Sequence, residues 1–254
     1  MRIFMILCDN ERLDEVNDSL KLIQKTDGLT FGTDALLLAA YVMGKYERGA
    51  EYGGGSGIIT MLLLTRDKVR KVDCIEVQDE YAALIERNAS LNGLSERLSA
   101  INCDIREHKP QYEYDLIYTN PPYMKTNSGR SNLLEKKNIA RHEVKGGIDD
   151  FLVTAKKQLK FGQDFYAVYR PDRLVDLIFS MRSHDIEPKR LTFVYADTAS
   201  APSMVLVMGK RGGKAGIYTT PPLIIYADRE HKSYTGDMDY IMNEGSFPEK
   251  FKNK

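Results

Sequence analysis

The chain is poor in the residues from which metal centres and covalent catalytic arrays are built. Its three cysteines, Cys8, Cys74 and Cys103, share no metal-ligand spacing and form no Cys-x-x-Cys pair. That pattern indicates neither a zinc site nor a disulfide framework, and it suits reduced thiols in a cytoplasmic protein. Only four histidines occur. Long apolar runs are also missing. Residues 3–8 are apolar but too short for a signal-peptide core, and they lead into Asp9-Asn10-Glu11 rather than a small-residue cleavage site. Nothing approaches the ~20 apolar residues that span a bilayer, so no membrane association is expected. The chain has no internal repeat and no low-complexity linker, and nothing in it indicates an obligate protein partner.

A net charge of zero argues against a wholly basic nucleic-acid-binding domain, but the average hides a polarity. Residues 1–150 carry 20 basic against 24 acidic side chains, and residues 151–254 carry 16 against 12. Within 125–145, Lys125, Arg130, Lys136, Lys137, Arg141 and Lys145 face only Glu135 and Glu143. Such a stretch suits either a polyanion or a solvated surface loop. With 254 residues there is room for one large α/β domain with short appendages.

Apolar periodicity alternates between strand and helix. Residues 72–76 read as a buried strand; 79–92 then carry Tyr81, Leu84, Ile85, Asn88 and Leu91 at helical spacing, with Gly93 as the stop. Strands are predicted at 98–103 and 114–119, a helix at 148–160 closing near Gly162, and a strand at 165–169. Pro171 takes the first position of a helix reaching 181, and 191–195 and 204–208 form paired strands. Phe31-Gly32-Thr33-Asp34 precedes an apolar helical run, with Thr33 or Asp34 as its N-cap. The pattern predicts a doubly wound α/β fold whose mostly parallel sheet ends in an antiparallel edge hairpin. Its expected organisation is an N-terminal cap segment (1–45), the main domain (46–226) and a C-terminal tail (227–254). Ligands of such sheets lie beyond the carboxyl ends of the strands.

Four polar signals fall at those ends. Glu51-Tyr52-Gly53-Gly54-Gly55-Ser56-Gly57 opens an apolar helical stretch. Its spacing is G-x-G-x-G; the third glycine of a dinucleotide fingerprint is absent, and no Gly-Lys-Ser/Thr follows. A ligand with an adenosine but no pyrophosphate fits, and S-adenosylmethionine is the candidate. Glu76 ends the next strand, about 20 residues past the glycines, where a carboxylate grips ribose hydroxyls. Asp104 follows the third strand and can accept from an adenine amino group or cap the residues after it. Asn120-Pro121-Pro122-Tyr123 follows the fourth. Two prolines make this loop stiff. The Asn120 carboxamide oxygen and the Pro121 carbonyl can accept both hydrogens of one planar amino group, and Tyr123 offers a stacking face.

In this order, the motifs resemble those of class I S-adenosylmethionine-dependent amino methyltransferases. More narrowly, Phe31 to Leu38, Ala140-Arg141-His142-Glu143, Arg170-Pro171-Asp172-Arg173-Leu174 and Glu187-Pro188-Lys189-Arg190 resemble the bacterial tRNA1(Val) adenine-37 N6-methyltransferases. The resemblance implies a Rossmann-like seven-stranded sheet. It implies S-adenosylmethionine held by Thr33, Glu51, Gly53, Gly55, Gly57, Glu76, Asp104 and Asn120, and catalysis by Asn120, Pro121, Pro122 and Tyr123. RNA, with tRNA as the carrier, would be the partner, and Lys125, Arg130, Lys136, Lys137, Arg141 and His142 would contact it. Glutamine N5-methylation of a release factor, which uses the same four-residue loop, and a non-catalytic RNA- or ligand-binding role are the alternatives. In one respect the chain departs from the family: Arg48-Gly49-Ala50-Glu51-Tyr52 is more polar than the strand those enzymes place before the glycine loop.

Overall fold

A computed structural model describes residues 7–28, 31–121 and 147–252. Two strands come first, β1 (Glu11–Asn17) and β2 (Leu20–Lys25), paired as an antiparallel hairpin. There follow α1 (Thr33–Tyr41), β3 (Tyr46–Tyr52), α2 (Ile58–Thr65), β4 (Val69–Glu76), α3 (Asp79–Leu91), β5 (Leu98–Asn102) and β6 (Tyr114–Thr119). Beyond the undescribed stretch lie α4 (Ile148–Gln158), β7 (Leu159–Tyr169), α5 (Leu174–Ser183), β8 (Ile186–Tyr195) and β9 (Pro202–Arg211). Two short strands, β10 (Tyr218–Thr219) and β11 (Leu223–Ile224), and α6 (Gly236–Glu244) complete the described order.

The main sheet runs β10-β8-β9-β7-β6-β3-β4-β5, with β11 also on β8. Strands β3 to β7 are mutually parallel, and β9 is antiparallel to both β7 and β8. The expected doubly wound sheet with an antiparallel edge is therefore present, but among the described residues it counts nine strands rather than seven because two-residue strands add to β8. Neighbouring β6, β3, β4 and β5 end side by side, and this sets the place of the site.

β3 is central despite its polar sequence. Gly49 lets β4 approach closely, since a Cβ there would lie 3.2 Å from Val69. The Arg48 guanidinium lies 3.7 Å from the Tyr112 ring centroid and so leaves the sheet plane for a cation–π contact. Glu51 pairs with Cys74 across the ladder, which fixes the strand's register.

Several boundaries differ from the sequence-based expectation. α4 stops at Gln158 because the chain goes straight into β7, and Gly162, at φ +77°, sits within that strand beside a register shift instead of closing the helix. Pro171 opens a 3-10 turn, Pro171–Arg173, and the α-helix starts only at Leu174. The C-terminal residues are not a loose tail: Met238, Ile241, Phe247 and Phe251 join the core formed by α1, α2 and the sheet. Tyr41 and Phe247 meet edge to face at 5.2 Å, and the aromatic spacing of that segment carries no period that would reveal this packing in advance.

The N-terminal hairpin docks through asparagines rather than through a third strand. Asn88 accepts from Ile23 N at 2.7 Å and donates to Ile23 O at 3.0 Å; one helical turn later Asn92 does the same for Lys21, at 3.0 and 2.7 Å. Two carboxamides four residues apart, one on α3 and one at its C-cap, thus stand in for a strand ladder along the edge of β2. Asn88 is fully buried and also donates to Ser56 O in the glycine loop, at 3.1 Å. Asn88→Ala strips a partner from three backbone groups, Ile23 N, Ile23 O and Ser56 O, and denaturant unfolding should register a loss of ~2–4 kcal/mol.

Candidate active site

The glycine loop joins β3 to α2. Gly53, Gly55 and Gly57 have φ of +75°, +54° and +79°, a region that side-chain-bearing residues rarely adopt. Gly53 and Gly54 donate to Ile75 O at 2.9 and 3.1 Å, which ties the loop to β4. A Cβ on Gly54 would sit 2.3 Å from Cys74 Sγ, whereas one on Gly55 would meet nothing within 4 Å. One face of the loop is therefore packed and the other is open to a ligand.

Glu76 is 5% exposed and organises this loop from the end of β4. Its carboxylate accepts from Gly55 N at 3.0 Å and from Gln78 N at 2.9 Å. A carboxylate offers about four acceptor positions, so capacity remains for further donors. Asp104, two residues past β5, is more heavily engaged. Arg106 donates to it from its backbone N, from Nε and from Nη2, at 2.9, 2.9 and 2.5 Å. These bonds hold the Asp104 carboxyl below the usual carboxylate range, and no helix follows for it to cap.

Asn120 leaves β6 with its side chain oriented by a residue far away in sequence. Its Nδ2 donates to Asp34 Oδ2, in the first turn of α1, at 2.8 Å. Since a carboxylate can only accept, this contact settles which way the amide faces. Asn120 Oδ1 is buried and has no hydrogen-bond partner among the described residues. A bare buried acceptor costs ~1–3 kcal/mol, which a donor arriving at the site would recover.

Two expectations are corrected here. Neither Thr33 nor Asp34 caps α1: the N-cap is Gly32, without a side-chain bond, because the Asp34 carboxylate is turned to Asn120 instead. Glu51 lies behind the loop, not in it. It is 1% exposed and accepts from Thr60 N at 3.1 Å and Thr60 Oγ1 at 2.5 Å, with the Tyr118 hydroxyl 2.5 Å from that same Oγ1. Burial pushes its carboxyl up to about 7, against the pull of the Thr60 donors.

The structure thus brings Gly53, Gly55, Gly57, Glu76, Asp104 and Asn120 to adjacent strand ends, with Thr33 beside Asp34 at the start of α1. Pro121 follows Asn120 and is buried. Pro122, Tyr123, Lys125, Arg130, Lys136, Lys137, Arg141 and His142 lie outside the described residues. Sequence reasoning missed the Asp34–Asn120 pair; its only signal was an acidic residue at a helix start, which capping explains equally well.

A G-x-G-x-G turn, a carboxylate behind it and an amide at the fourth strand end define a methyltransferase-type α/β fold. The family model of the methyltransferase small domain matches residues 25–168. The chain belongs to that family. Among curated proteins it is similar to the tRNA1(Val) (adenine(37)-N6)-methyltransferases of Aliivibrio fischeri, 31% identical over 116 residues, and Pedobacter heparinus, 34% identical over 116 residues. These matches cover 45% of this chain and 49% and 48% of the relatives, so the chain spans about half the length of the curated relatives it matches. Among solved structures, a predicted O-methyltransferase from Agrobacterium tumefaciens superposes with a TM-score of 0.69 at 21% identity, covering 85% of this chain and 98% of that one. M. jannaschii TYW2 in complex with AdoMet superposes with a TM-score of 0.54 at 12% identity, covering 81% and 87%. At those identities the likeness is one of fold.

The Glu51 shift has a testable sign. A carboxyl whose folded pKa is raised from 4.5 to about 7 contributes stability that is complete below about pH 4.5 and lost as pH climbs through about 7. Glu51→Gln should therefore gain stability relative to the parent across that window and level off above it, as read by denaturant unfolding at a series of pH values.

Proposed function

We propose that this chain transfers the methyl group of S-adenosylmethionine to N6 of an adenine in RNA, with adenine 37 of a tRNA anticodon loop as the target. The observation that carries this reading is Asn120 Oδ1, a buried acceptor without a partner among the described residues, aimed by Asp34. The reading of tRNA rests on the names of the curated relatives and on the basic stretch 125–145.

The donor set suits the cofactor. Gly53, Gly55 and Gly57 give close backbone approach, and open space faces Gly55. Glu76 keeps acceptor capacity for ribose hydroxyls, and Asp104, with about one acceptor position left by Arg106, can take the adenine amino group. Thr33 stands at the same rim. Glu51 contributes by holding the loop in shape. When bound, the cofactor supplies an electrophilic methyl on sulfonium.

The chain's own task is to orient a weak nucleophile. An adenine amino nitrogen shares its lone pair with the ring. Acceptance of its two hydrogens by Asn120 Oδ1 and the Pro121 carbonyl fixes the nitrogen and stabilises the positive charge that grows on it. Transfer would leave N6 with one proton too many, and that proton would pass to solvent after the methyl group has moved. No general base is needed before transfer. Stacking on Tyr123 contributes ~1–3 kcal/mol, and a base in a single-stranded loop is cheapest to present. A tRNA substrate would place the enzyme in the cytoplasm, and among the described residues no helix is long and apolar enough to cross a membrane.

Asn120→Ala should abolish methyl transfer while S-adenosylmethionine affinity, measured by calorimetry, stays close to the parent's; near-normal turnover would refute the assignment. Asp34→Ala frees the amide to rotate and should lower kcat about 10- to 100-fold with little change in cofactor affinity. Tyr123→Ala should weaken RNA binding, whereas Tyr123→Phe should be tolerated because the ring face, not the hydroxyl, carries the contact.

A further inference from the structure

A second concave site lies on the α1 face of the sheet, away from the strand ends described above. It is a cavity of about 540 Å³ whose wall includes Lys68, Asp164, Tyr166, Arg190, Ser246 and Lys252. Arg190 belongs to the Glu187-Pro188-Lys189-Arg190 motif, for which the methyl-transfer site has no use. It is 2% exposed. Its Nη2 donates to Tyr41 O at 2.8 Å, its Nη1 approaches Met43 Sδ at 3.1 Å, and its carbon lies 4.1 Å from the Tyr41 ring centroid. Its Nε is buried with no partner, and no carboxylate pairs with the guanidinium among the described residues.

The other charges around the cavity add to this excess. Lys68 Nζ donates to the carbonyls of Ala39, Ala40 and Val42 at 2.9, 3.0 and 2.7 Å, and no carboxylate neutralises it among the described residues. Burial drives its pKa down to about 7, and the cations Arg66, Arg190 and Lys252 push the same way. Lys252 pairs with the exposed Glu249. Among the described residues Asp164 is the one carboxylate on the wall: Tyr46 donates to Oδ2 at 2.8 Å, and Lys210 Nζ lies 2.8 Å from Oδ1 as an ion pair, although that oxygen accepts no hydrogen bond. A buried cation left without a counterion costs several kcal/mol, a cost that an anion in this cavity would offset.

We infer that this cavity binds a small oxyanion of the phosphate class, free phosphate or a phosphate monoester, with the Arg190 guanidinium as its principal donor and Lys252 at the rim. Arginine suits this task because its fork matches two oxygens of one phosphate. The deep burial of Arg190 favours a free small molecule over a polymer backbone. The site is separate from the methyl-transfer site: Asn120 meets Asp34 in the first turn of α1, whereas Arg190 meets Tyr41, its last residue, and the seven helical steps between them span about 10 Å.

The test is calorimetric titration of the full chain with inorganic phosphate, against sodium chloride at matched ionic strength. Saturable one-site binding is expected, unchanged in Asn120→Ala and weakened at least about tenfold in Arg190→Gln. Because Arg190 is buried and its replacement can impair folding, Lys252→Gln at the rim is titrated alongside; several-fold weaker binding is expected there. The absence of saturable binding, or unchanged affinity in folded Arg190→Gln or in Lys252→Gln, would overturn the inference. None of these readouts involves methyl transfer, so the outcome is independent of the proposed reaction.

Discussion

The hydrogen bond between Asn120 and Asp34 is the contact on which the proposed chemistry depends. It joins a strand end to the first turn of a helix 86 residues earlier, and in doing so it leaves the carboxamide oxygen bare. An amide free to rotate would present donor and acceptor by turns. Held this way it presents only an acceptor, which is what an amino-group substrate requires. The fold thus stores a modest unsatisfied cost at one atom, which a donor bound there would recover.

Around that contact the molecule is arranged to keep the strand ends in place. Backbone bonds from Gly53 and Gly54 tie the glycine loop to β4, Glu76 ties it from the side, and Asn88 ties it through Ser56 to α3 and the N-terminal hairpin. Beneath it, Glu51, Thr60 and Tyr118 form a buried polar chain that anchors α2 to β3 and β6. A polar central strand is tolerated because its acid is hydrogen-bonded and its arginine leaves the sheet plane to lie over Tyr112. The C-terminal residues close the opposite side of the core through Phe247 and Phe251.

Much of this was legible in the sequence because it depends on local pattern. Strand-helix alternation, the glycine turn and the stiff Asn-Pro-Pro loop are short-range signals, and they placed Glu76, Asp104 and Asn120 at strand ends correctly. What escaped depends on contacts between distant segments. Asp34 reads as a cap until Asn120 is beside it, and Glu51 reads as a ligand group until Thr60 is seen to occupy it. The hairpin of residues 11–25 presents the edge of β2 to Asn88 on α3 and to Asn92 at its C-cap, a pairing that no periodicity announces. Arg190 lies in a motif that was noticed, yet its burial in a cation-lined cavity follows only from how β8 packs against the end of α1.

Incubating the protein with radiolabelled S-adenosylmethionine and separate pools of tRNA, rRNA and release factor, then digesting each pool and identifying the labelled residue, tests the central claim most directly. The account predicts label in tRNA as N6-methyladenine. Label in a glutamine of the release factor, or in no pool at all, would contradict it.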